Sequence, residues 1–298
     1  MTNNPARPGP LGPFRVLDLT QVLSGPHCTQ MLADFGADVV KIERPGVGDD
    51  LRNTLAYEGR EEHQDYFYAN NRSKRSIALD LKSPKDLEIA RALAAEADIV
   101  AENFAPGTAD RLKMGYEDLK AINPKLLYCS ISGFGQTGPA RDRLALDPVI
   151  QAVSGVMSVT GDDGAPPMQI GAPLADVMAG MYAAYAIVGA LHGVRTSGEG
   201  CYLDVSMQDA VMAALGPRMG ETLQAGRLPS RQGNGNPLRV PAESYRTADG
   251  RYLAVICMSD RFWPPICRAV GRPDLAEDPR YEKMADRVAA RETIDGIL

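Results

Sequence analysis

The residues best equipped for chemistry gather just after segments that read as β-strands. Gln21-Val-Leu-Ser-Gly25 follows the first such segment, and Arg44-Pro45 follows the second. Glu102-Asn-Phe-Ala-Pro-Gly107 follows the fourth, with Arg111 and Lys113 close behind, and Gly133-Phe-Gly-Gln-Thr-Gly-Pro139 follows the fifth. Cations pair with phosphate oxygens, glycines let backbone N–H groups approach them, and a ring can stack on a base. The set suits a ligand with phosphates and a flat base. Taken singly, each basic residue is more often a solvated surface charge. Taken together at successive strand ends, they favour binding. Asp176 is a different kind of candidate. In Gly171-Ala-Pro-Leu-Ala-Asp176, Pro173 opens a helix and places the carboxylate in or near its first turn, where the helix dipole favours it. An ordinary carboxylate pKa of ~3.9 leaves it ionised at neutral pH without a base partner. That suffices for a carboxylate nucleophile. An acid in a first helical turn is also a common structural feature, and sequence physics alone does not choose between the two.

The elements around these residues form a recognisable series. Between Leu17 and Pro45 the chain reads as strand, glycine-bearing turn, helix and strand, a right-handed β-α-β unit of the nucleotide-handling kind. Gly25 stands alone in its turn, so the G-x-G-x-x-G spacing of dinucleotide enzymes is absent. The expected ligand has a nucleotide but no hydride to give. Strands are expected at 15–19, 38–42, 76–79, 98–101 and 126–131. Helices are expected at 27–35 with Ser24 as N-cap, at 84–96 after Ser83, and over 108–121. Residues 45–70 read as a long loop. The alternation predicts a parallel sheet covered on both faces, with ligands beyond the carboxyl ends of its strands. Helices over 147–159 and 173–194, a strand at 201–206 and a helix from Gln208 continue the large domain, residues 1–224. Residues 225–241 are rich in Gly, Pro and Asn and read as a linker. A hairpin across Ala248-Asp-Gly250 and further helices then make a smaller α+β domain, 242–298.

Bulk properties set limits. A chain of 298 residues has room for two domains at ~150 residues each. A formal net charge of -6 argues against a general nucleic-acid binder. Met1 to Pro13 is polar and proline-rich, with no apolar core of a signal or anchor. No apolar run reaches the ~18 residues of a membrane span, and Val177 to Leu191 suits a buried helix. Five scattered cysteines without a C-x-x-C pair read as reduced thiols of a cytoplasmic protein. His27, His63 and His192 lie far apart, so no metal site is expected. The chain stops on Ile297-Leu298 in a helical pattern. That suggests further chain once followed; a terminal helix docked on the core is the alternative.

Several segments, in order, resemble the type III CoA-transferase family, which includes formyl-CoA:oxalate and carnitine CoA-transferases and the 2-methylacyl-CoA racemases. They are Leu17 to Pro26, Phe35 to Pro45, Asn71-Arg-Ser-Lys-Arg-Ser76, Glu102 to Gly107, Gly133 to Pro139 and Val205-Ser-Met-Gln-Asp-Ala210. The likeness extends over about residues 14–298. It implies an α/β fold, a Rossmann-like large domain with a smaller domain, in a homodimer of two interlocked rings. Family chains return from the small domain to complete the large one, a segment this sequence is expected to lack.

The resemblance also implies roles. Asp176 would attack an acyl-CoA thioester, passing through a mixed anhydride to an aspartyl-CoA thioester. Gly233 and Gly235, in Gly233-Asn-Gly-Asn-Pro237, match the mobile glycine loop over that site, although the asparagines add bulk; a plain linker turn is the competing reading. Coenzyme A would be held by Val22, Arg44, Lys74, Arg75, Asn103, Phe104, Arg111 and Met207. Leu23 stands where oxalate-type members have glutamine, which speaks against oxalate as acceptor. The racemases need a histidine in the segment matching Arg143 to Asp147, and none is present. The expected reaction is transfer of CoA from an acyl-CoA to a carboxylic acid such as succinate. A noncatalytic CoA-binding fragment is the alternative from another class.

Overall fold

The computed structural model describes residues 9–52 and 65–298. His63 and Met1 to Pro8 lie outside them. Two compact units divide the chain, one formed by 1–156 and 169–223, the other by 157–168 and 224–298.

The first unit is built on six parallel strands, β1 (Arg15–Asp18), β2 (Asp38–Glu43), β3 (Arg75–Ala78), β4 (Ile99–Glu102), β5 (Leu127–Ser132) and β6 (Cys201–Ser206), in the order β3-β2-β1-β4-β5-β6. Leu17 lies between Val40 and Val100 in register. Every residue of β4 and β5 is buried, the polar Glu102, Ser130 and Ser132 at their carboxyl ends included, as expected of strands covered on both faces. The edge strand β3 alternates in burial instead. Helices α1 (Ser24–Asp34), α2 (Asp65–Asn71), α3 (Pro84–Ala95), α4 (Thr108–Arg111), α5 (Tyr116–Lys120), α6 (Asp147–Val153), α8 (Leu174–Ser197) and α9 (Met207–Leu215) belong to this unit, while α7 (Val156–Val159) and α10 (Pro217–Ala225) run across its boundaries. A core of Leu17, Leu19, Val100, Met114, Leu119, Leu126 and Tyr128 fills one side of the sheet.

Three expectations need correction. The segment 45–70 is not all loop, because α2 and a short 3-10 turn at Asp50–Arg52 fall within it. The helix expected over 108–121 is two, interrupted where Lys113 turns left-handed (φ +56°) and Gly115 follows. The helix over 147–159 also breaks, at Gly155 (φ +88°).

Helix α8 is 24 residues long and apolar enough, by length and composition, to cross a membrane. Here it packs against α1, α9, α6, β5 and β6.

In the second unit β7 (Ala242–Arg246) pairs antiparallel with β8 (Tyr252–Ile256). With α11 (Trp263–Ala269), α12 (Pro273–Glu277), α13 (Met284–Ala289) and α14 (Arg291–Ile297), these strands surround Trp263, Cys257, Cys267, Leu275 and Ile294. Ile297 and Leu298 pack against this cluster. Arg287, wholly buried, donates to the carbonyls of Val240, Tyr281 and Glu282 and to Asp260.

Candidate active site

Strand order reverses between β1 and β4, so the loops leaving their carboxyl ends diverge and open a crevice, the usual ligand position in such sheets. Asn103 spans it. Its Oδ1 accepts from the Gln21 N–H at 2.8 Å, and its Nδ2 donates to the Gln21 carbonyl at 2.8 Å and to Ser24 Oγ at 3.2 Å. Gly25 makes this closeness possible: a Cβ there would collide with Thr20 and come within 3.0 Å of Asn103 Cγ. Ser24 is not the N-cap of α1; Leu23 holds that position without a side-chain cap, and Ser24 opens the helix.

A cavity of about 340 Å³ lies in this crevice. Val22, Ser24, Asn103, Phe104, Ser132, Asp176 and Met207 line it, and Arg141 and Arg143 add cations. Asp176 sits in the first turn of α8. The backbone N–H of Asp176 and that of Ala175 reach Asp147 Oδ2 at 3.2 and 2.7 Å, so a residue of α6 caps α8. Gln151 steadies Asp147 through Nε2 at 2.7 Å. Burial first, and the Asp147 carboxylate second, push Asp176 up to about 6; hydrogen bonds from the Ser24 hydroxyl and backbone N–H oppose them. The Ser24–Asp176 approach depends on Gly180, where a Cβ would lie 2.7 Å from the Ser24 carbonyl oxygen. The sequence expectation of an ordinary carboxylate is thereby revised. At neutral pH Asp176 is still mostly ionised, and it is more basic than a solvated aspartate, which suits a nucleophile.

A second cavity, about 410 Å³, is lined by Leu19, Gln21, Arg44, Leu79, Lys82 and Phe104 among others. Phe104 borders both cavities. Its N–H donates to Glu102 Oε2 at 2.7 Å. Burial drives Glu102 up to about 7 against the hydrogen bonds from Ser130 and Phe104.

Val22, Asn103, Phe104 and Met207 therefore meet Asp176 at one cavity, and Arg44 lines the next. The other expected CoA ligands lie elsewhere. Lys74 is buried and bonded to Asp18 (3.1 Å), the Pro26 carbonyl (2.9 Å) and Asn71 Oδ1 (2.9 Å). Arg75 pairs with Asp38 at 2.6 Å, and Arg111 donates to Thr108 at 2.7 Å. Gly233 and Gly235 belong to the second unit. Gly233 has φ +57° and donates to the Gly161 carbonyl at 3.0 Å, and Gly235 donates to the Gln232 carbonyl at 2.8 Å. Sequence reasoning missed Asp147 and the Ser24 donors. Asp147-Pro148 signals only a helix start, and nothing in the spacing tells that its carboxylate serves a different helix. Among the described residues no His, Cys, Asp and Glu side chains group to hold a metal.

The model of CoA-transferase family III matches residues 11–298. The succinate–glutarate CoA-transferase of Agrobacterium fabrum is 40% identical over 303 residues, covering 100% of this chain and 76% of that protein. The succinyl-CoA:mesaconate CoA-transferase of Haloarcula hispanica is 41% identical over 293 residues, covering 96% of this chain and 73% of that protein. Among solved structures, a CAIB/BAIF family protein from Brucella suis matches with TM-score 0.85 and 38% identity, over 97% of this chain and 77% of that one.

Proposed function

This chain belongs to CoA-transferase family III, and we propose that it moves coenzyme A from an acyl-CoA to a short dicarboxylic acid through covalent intermediates on Asp176. An Asp176 oxygen attacks the thioester carbonyl. The C–S bond breaks, leaving a mixed anhydride and CoA thiolate. The thiolate then attacks the aspartyl carbonyl, forming an aspartyl-CoA thioester and releasing the donor acid as carboxylate. The acceptor carboxylate reverses both steps. No proton is exchanged, so a carboxylate without a base partner is sufficient. Each addition builds an oxyanion that needs preorganised donors.

The observation that carries this reading is the placing of Asp176 itself: half-buried, near the N-termini of both α8 and α1, on the wall of the switch-point cavity. Arg141 and Arg143 give the same cavity charge complementary to a carboxylate. The adjoining cavity with Arg44 and Phe104 has the composition for the nucleotide end of CoA. Named relatives that act on succinate, glutarate and mesaconate support a dicarboxylate acceptor. A second copy of this chain is the proposed partner. The outer face of α8 exposes Met181, Tyr185 and Val188 at helical spacing, an apolar stripe suited to it. Light scattering in solution tests the dimer; a monomer at micromolar concentration would remove it.

The chemistry is tested by covalent capture. The protein is incubated with succinyl-CoA, treated with hydroxylamine or borohydride, and digested for mass analysis. The expected result is a modified peptide with the change on Asp176. An unmodified Asp176 after exposure to a panel of acyl-CoA donors, oxalate-derived ones included, would reject the covalent route.

A further inference from the structure

Val22 is a β-branched residue held at φ +65°, and it is 42% exposed on the wall of the Asp176 cavity. A valine does not adopt that conformation unaided. Its N–H faces both carboxylate oxygens of Asp49, each at 3.2 Å. Asp49 is 1% exposed and pairs with the equally buried Lys41 Nζ at 3.0 Å. Lys41 also donates to the Thr20 carbonyl, so the same ammonium anchors the loop after β1 at a second point.

Asp49 is tied just as closely into the loop after β2. Its own N–H donates to Glu43 Oε2 at 3.0 Å, and its Oδ1 accepts from the Leu51 N–H at 3.0 Å. Glu43 is in turn bonded to Arg52 and Ser76. Between Glu43 and Asp49 the chain turns at Arg44, whose carbonyl accepts from the Gly48 N–H at 2.9 Å. One buried carboxylate thus joins the wall of the reacting cavity to the loop that brings Arg44 to the neighbouring cavity.

We propose that Asp49 is a positioning residue of the transferase: held by Lys41, it fixes Val22 in its left-handed conformation and locks the loop after β1 to the loop carrying Arg44. The acyl and nucleotide ends of one CoA molecule are then received by two loops with a set spacing. The simpler role, neutralising Lys41, leaves Val22 out of account. The two differ in what glycine at position 22 does, since glycine adopts positive φ without help.

The test compares Asp49→Ala, Val22→Gly and the double variant for CoA affinity by calorimetry and for kcat/KM with succinyl-CoA. D49A is expected to weaken both about tenfold in the native background and less than about threefold when residue 22 is glycine. Equal losses in the two backgrounds would overturn the proposal. If D49A does not fold, K41M/D49A, which leaves no lone buried ammonium, carries the same comparison with and without V22G. Undiminished affinity and turnover in K41M/D49A with Val22 intact would also overturn it. The proposal rests on the transferase reading. A wild-type protein that binds CoA but transfers none would reject that reading, while the affinity cycle would still decide the role of Asp49.

Discussion

Two aspartates at the same end of the sheet, Asp18 fully buried and Asp176 half-buried, have opposite fates. Asp18, at the end of β1, accepts from the Thr20 N–H (2.8 Å), the Thr29 hydroxyl (2.7 Å) and Lys74 (3.1 Å). Burial alone would raise its pKa, but Lys74, Lys41 and the two threonines outweigh burial and hold it at about 2. Asp176 also accepts hydrogen bonds, from Ser24. Its charged neighbour is a carboxylate, Asp147, and burial wins. The sign of the nearest charge therefore separates a structural carboxylate from a reactive one. Asp18 has its lone pairs committed to cations and hydroxyls. Asp176 faces a cavity with electron density to give.

The contrast is sharpest in what each loss does. Asp176→Asn keeps shape and removes the nucleophile. It is expected to cut transfer by at least about a thousandfold while CoA affinity stays within a few fold, read by steady-state kinetics and calorimetry. Comparable turnover would dissolve the distinction. Asp18→Ala leaves the buried Lys74 without its counter-charge, and should cost about 3–5 kcal/mol of folding stability in urea melts. The linkage has a definite sign. Because the folded pKa of Asp18, about 2, lies below its ordinary 3.8, its stabilising contribution is present above the ordinary value and is lost as pH falls through about 2.

Asp176 should instead be visible in the rate. Transfer requires the ionised form, so kcat/KM is expected to rise with pH, with a midpoint near 6 and a fall of about tenfold per unit well below it. Asp147→Asn removes the like charge and should move that midpoint down, leaving the rise due to burial. A midpoint unmoved by this change would show that Asp147 acts only as a helix cap. The smallest effect is expected from Ser24→Ala. Losing a donor to the ionised form should raise the midpoint by up to about one unit in the same profile.

The parallel sheet was legible because β4 and β5 open on short apolar runs and the helices between strands repeat at regular spacing. The crevice followed, since glycine, asparagine and arginine stand just past strand ends. Short helices were not legible. Helix α2 has seven residues, and its aromatic run Tyr66-Phe67-Tyr68 is too brief to set a helical period. The cations are harder to read in one dimension. A lysine beside an expected phosphate site and a lysine that neutralises a buried aspartate have the same signature, and only the fold shows that Lys74 pairs with Asp18. The altered acidity of Asp176 was also hidden, because desolvation and the approach of Asp147 arise only when α6 and α8 come together.

Position 180 carries this coupling one step further from the reactive oxygen atoms. One helical turn beyond Asp176, Gly180 has no side chain, and that gap lets the backbone of α1 settle against α8. A single methyl group there would push Ser24 away and retune a proton equilibrium without adding or removing one polar atom. The working pH of such an enzyme can therefore be inherited, and can drift, through steric bulk in a helix crossing rather than through any change of charge.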